Sequence, residues 1–155
     1  MLNRFILVAL LALPLCANAS DSLLKAQVES IPVYVQKVET CGAWTRGEQT
    51  GYYRVVVVDV NEGGGSEIYV QWLTYPTQGR KPEVVRTLAF PELNDDHSQY
   101  TIQSMRCKKA GNGIEIAIQA QYEHDTVDRT HAIRVRVKAA GTYAISGIGR
   151  GGKGR

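Results

Sequence analysis

At 155 residues with a formal net charge of +3, the chain has the size of one domain with a real core, not of two. The charge sits at the ends. Without Arg4 it is +2, and without Arg150, Lys153 and Arg155 the remaining body is 2 − 3 = −1, which speaks against a nucleic-acid-binding fold.

The N-terminus, MLNRFILVALLALPLCANASDS, joins a positive Arg4 to an apolar run from Phe5 to Leu15 and the small-residue site Ala17-Asn18-Ala19. This three-part pattern predicts a secretory signal peptide over 1–19, too short to span a bilayer. No later segment is long and apolar enough to span one. The expectation is therefore a periplasmic or secreted protein. Removal of Cys16 with the leader leaves Cys41 and Cys107. An even pair in an oxidising compartment predicts a disulfide.

Residues 20–30 can form a short helix, capped by Asp21 or Ser22, with Leu23, Leu24, Val28 and Ile31 near one stripe and Pro32 as its stop. Beyond Pro32, alternating apolar residues are punctuated by Gly, Pro, Asn and Asp. Strands are expected near 33–41, 51–60, 66–75, 82–90, 98–107, 113–123 and 130–140, with 142–147 as a candidate eighth. The fold class is all-β: a small antiparallel sandwich or barrel of about seven strands, preceded by the short helix. The domain spans 20–147. Residues 148–155 form a Gly/Arg-rich tail expected to be disordered and able to make weak contact with an anionic surface.

The stretch YRVVVVDV, residues 53–60, poses the main question of packing. Successive residues of a strand point to opposite faces, so four consecutive valines put two on each. The loop NEGGGS predicts a hairpin with 66–75. Pairing Val58 with Ile68 and Val56 with Val70 gives one face of Tyr52, Val56, Val58, Val60, Ile68, Val70 and Trp72. The other face then carries Tyr53, Val55, Val57, Tyr69, Leu73 and Tyr75. Both faces demand cover, by the N-terminal helix, by closure of the sheet or by a partner. In the last long hairpin, pairing Tyr122 with Ile133 and Ala120 with Val135 collects the apolar residues on one face.

No catalytic signature is present: no G-x-S-x-G, no P-loop, no H-E-x-x-H. No cofactor is implied. His124 and His131, with Asp125 and Asp128 between them, form a weak metal candidate, since that register makes the two histidines direct neighbours. The alternative is a polar hairpin end. Asn94-Asp95-Asp96-His97-Ser98 lacks the spacing of a calcium loop and reads as a turn. Trp44, in a segment 42–50 read as an exposed loop, is either a stacking platform or packing for the disulfide.

The functional expectation is an exported, non-enzymatic β domain. It binds a protein partner, or itself, in the periplasm or cell envelope. The candidate surface is Tyr53, Val55, Val57, Tyr69, Leu73 and Tyr75, with Trp44. The alternatives are an inhibitor or immunity-type protein blocking an envelope hydrolase through 42–50 or 124–130, and a metal-dependent enzyme at His124 and His131.

Overall fold

Among the described residues the alternation that begins after Pro32 becomes eight strands, the seven expected and the candidate eighth near 142–147. The computed structural model describes residues 25–60, 65–77, 79–94 and 100–148. Strands β1 (Val35–Arg46), β2 (Gln49–Asp59), β3 (Ser66–Thr74) and β4 (Val84–Ala89) form one antiparallel sheet in that order. Strands β5 (Tyr100–Ala110), β6 (Gly113–Tyr122), β7 (Thr130–Lys138) and β8 (Tyr143–Ser146) form the second. Each sheet is a meander, and among the described residues no ladder joins one sheet to the other, so the fold is not a closed barrel. Two open sheets sharing one core are consistent with a sandwich.

Residues 25–29 are helical, with the Ser30 N–H donating to Ala26 O at 3.1 Å. The leader 1–19, the caps Asp21 and Ser22, residues 95–98 of the acidic turn and the tail from 149 onward lie outside the described residues.

The second sheet is what covers the valine stretch. Tyr53, Val55 and Val57 are 0%, 0% and 1% exposed and share a core with Ile114, Ile116, Ile118 and Val135. The register differs from the expected one by a single residue. Val57 faces Ile68, Val55 faces Val70 and Tyr53 faces Trp72. A one-residue slip exchanges faces, so two of the four valines turn inward, and Val56 and Val58 turn outward. The physical reason is segregation. This register places Tyr53, Val55, Val57, Ile68, Val70 and Trp72 on one side, and Arg54, Glu67 and Gln71 on the other. The expected register would have split the large apolar set between both.

In the last long hairpin the partners shift by four: Ile118 faces Ile133, Ile116 faces Val135 and Ile114 faces Val137. An even shift preserves the faces, so the expected core side is right although the partners are not. The turn is longer than expected, and Tyr122 packs its ring on that of its β5 partner Tyr100 at 5.4 Å instead of facing Ile133.

Segment 42–50 is not a loop. It is the end of β1, a two-residue turn at Gly47 and Glu48, and the start of β2. Gly42 (φ 58°) takes the left-handed conformation at a bulge between Cys41 and Ala43. The extra residue turns Trp44 toward the core, where odd-numbered positions had pointed before it.

The sheets are tied at their edges by side chains. Between β1 and β5, Cys41 and Cys107 stand at disulfide-bonding distance with Cα atoms 5.8 Å apart. Beside them the Lys37 ammonium donates to Met105 O, and Glu39 Oε1 accepts the Cys107 N–H at 2.9 Å. Burial pushes the Glu39 carboxyl up, but the Cys107 N–H and Lys37 together hold it below the ordinary carboxylate value. At the opposite edge Arg86 donates to Ala140 O at 2.9 Å, and the Phe90 and Tyr143 rings meet edge to face at 5.1 Å.

Candidate functional site

The outer face of the first sheet is built in bands. Register places Val38, Val56, Tyr69 and Ala89 side by side in one row across all four strands. The next row is Thr40, Arg54, Gln71 and Thr87, and it is polar throughout. Arg54 Nε donates to Gln71 Oε1 at 2.8 Å, and Gln71 Nε2 donates to Thr87 Oγ1 at 3.4 Å, so this row is tied to itself. Beyond it Tyr52, Leu73 and Val84 form a second apolar row.

Tyr52 and Tyr75 stand with ring centroids 5.7 Å apart, tilted by 40°. With Thr40, Cys41 and Gly42 they line a shallow hollow of about 370 Å³. Val38, Val84 and Tyr75 are 49%, 47% and 45% exposed, so the apolar bands reach solvent. The charged groups on the face are few and hydrogen-bonded. The Tyr69 hydroxyl donates to the Glu67 carboxylate, and that bond, with burial and the carboxylate's charge, pushes the phenol up to about 12. Tyr69 therefore stays neutral and Glu67 stays engaged.

Of the seven residues expected on a binding surface, Tyr69, Leu73 and Tyr75 lie on this side. Leu73 is covered there and stands outside the core cluster. Tyr53, Val55, Val57 and Trp44 belong to the core instead. The register slip accounts for the first three and the Gly42 bulge for the fourth. The Trp44 indole N–H donates to Tyr52 O at 3.1 Å and Leu73 O at 3.2 Å, and its ring lies over Gly51. It packs the first sheet and offers no platform to a ligand.

Sequence reasoning misses Val38 and Val84. Val38 alternates with Lys37 and Glu39, whose charges suggest that their side faces water. In fact they turn inward to the β1–β5 edge, and Val38 faces out. Val84 lies beside a bulge in the β3–β4 pairing, which no local signal marks.

The histidine candidate does not assemble. His131 faces Ala120 rather than His124, and its Nε2 lies 2.6 Å from Asp125 Oδ2. The His124 ring sits edge-on to Tyr122 at 5.4 Å. Among the described residues, no group of three or more His, Cys, Asp or Glu side chains could hold a metal ion. Asn94 acts as a piece of strand: its amide donates to Ile68 O and accepts from Ile68 N, both at 3.0 Å. Among the described residues no helix is long and apolar enough to cross a membrane.

The chain matches no protein-family model, and comparisons with curated proteins and with solved structures find no significant relative.

Proposed function

We propose that this is an exported, non-enzymatic β domain that binds a protein partner in the periplasm or cell envelope through the outer face of its first sheet. The observation that carries the reading is the pair of apolar bands, Val38–Val56–Tyr69–Ala89 and Tyr52–Leu73–Val84, with the open hollow between Tyr52 and Tyr75. Sheet faces that meet only water alternate cleanly to polar residues. This one does not. Aromatic side chains on a half-exposed apolar surface are the anchors that protein interfaces favour. The hollow has room for one side chain from the partner, and the polar row between the bands would set its register.

A photoreactive phenylalanine analogue placed at Val38 or Tyr75 tests this. The expected result is one discrete adduct from both positions in envelope extract, and none from Ala117 on the other sheet. Adding Tyr75→Asp to the Val38 probe should remove the adduct without changing the melting temperature. Equal labelling from all three positions, or no adduct at any, would reject the surface.

A further inference from the structure

The near-neutral average of the body conceals a segregated charge. On the outer face of the second sheet, register places Lys108, Glu115 and Arg136 in one row, and Arg106, Ala117 and Arg134 in the next. Lys138 continues the β7 column opposite Gly113. Five cations and one carboxylate leave this face at 5 − 1 = +4. The body as a whole is −1, so the rest of it carries −1 − 4 = −5. The outer face of the first sheet, by contrast, carries only Arg54 and Glu67 at its paired outward positions and has no net charge.

Glu115 organises the array. Its carboxylate takes Arg136 Nε at 2.8 Å, Lys108 Nζ at 3.3 Å and Arg134 Nε at 3.7 Å. The Glu115 side chain is 11% exposed, while those three cations are 57–73% exposed and stand above it. Their bonds hold its carboxyl below the ordinary range, so it remains an anion that aligns them. Arg106 has no carboxylate within ion-pair distance among the described residues, its charge acting at longer range on Glu39. It and Arg134 flank the small Ala117. From strand geometry the cations stand ~7 Å apart along a strand and ~10 Å apart across two.

We propose that this face docks flat on an anionic phospholipid surface, with Arg106, Lys108, Arg134, Arg136 and Lys138 over the headgroup phosphates. Charge complementarity identifies the partner, and shape narrows it. The outward positions of β5 to β8 carry no aromatic side chain, so they offer no stacking for single-stranded bases. A four-stranded face is wider than the ~12 Å major groove of a duplex and presents no helix or two-stranded ribbon to enter it. A plane of phosphates engages all five cations together. The Tyr52–Tyr75 face belongs to the other sheet, so a partner and a membrane make separate demands on the molecule.

The test is co-sedimentation of the mature chain with phosphatidylcholine vesicles, with and without phosphatidylglycerol. Binding is expected only to the anionic vesicles and should weaken with salt. Each neutralised cation should lower the partition coefficient roughly fivefold. Arg106→Glu with Arg134→Glu, a change of four charges, should lower it about a hundredfold or more. Should that pair fail to fold by circular dichroism, Arg106→Gln with Arg134→Gln should lower it ~25-fold. A chain ending at Ile148 should keep most of its binding. Unchanged binding by a folded face variant, loss of all binding with the tail, or tighter binding to duplex DNA than to vesicles would each overturn the proposal.

Discussion

Replacing both Cys41 and Cys107 by alanine removes the covalent tie between β1 and β5, the edge strands of two sheets that share no backbone ladder among the described residues. The residues are 66 apart in sequence, and in the chain-entropy treatment a loop of that length is worth about 4 kcal/mol at 25 °C. The links that remain at that edge are the Lys37 donation to Met105 O and the Glu39 acceptance from the Cys107 backbone, and neither needs a sulfur atom. The double variant should therefore fold in the same topology and lose about 4 kcal/mol, which for a domain of this size is a fall of ~15 °C in Tm. Urea unfolding followed by tryptophan fluorescence suits the measurement, since Trp44 and Trp72 are both buried and both become exposed on unfolding. The denaturant slope should rise slightly, because an unfolded chain without the bridge is more expanded. A loss below about 1 kcal/mol with an unchanged slope would refute the reasoning and assign this edge to its hydrogen bonds alone.

Two further outcomes follow from particular contacts. Gly51→Ala would place a Cβ 1.9 Å from Leu73 O and 2.8 Å from the Trp44 ring, so it should cost about 3 kcal/mol or more and alter tryptophan fluorescence in the folded state. Tyr69 keeps its proton to about 12 when folded, against 10.0 as the ordinary value. Its contribution to stability is thus complete below pH 10 and is lost as the pH rises toward 12. Ultraviolet titration of Tyr69→Phe should lack one late-ionising phenol of the parent protein, and a titration curve identical to the parent's would reject the Glu67 bond.

The sequence by itself determined the elements that local chemistry controls. Alternation of apolar residues over 113–122 and 130–138 marked both strands and their inward faces, and an error of four residues in register left those faces intact, because pleat has a period of two. The even pair Cys41 and Cys107 marked the disulfide without any knowledge of which strands it joins. The tertiary structure alone decided which side of YRVVVVDV is the core, since both sides carry apolar residues and only the second sheet breaks the tie. It alone turned Lys37 and Glu39 inward, because the partners that satisfy them, Met105 O and Cys107 N–H, come from a strand 68 residues away. The same holds for the two outer faces. Charges that nearly cancel along the chain gather into a basic plane only when β5, β6 and β7 lie side by side, and apolar bands form only where four strands align. Periodicity along one strand records what that strand buries; what several strands display together depends on register, which is fixed by the packing of the whole core.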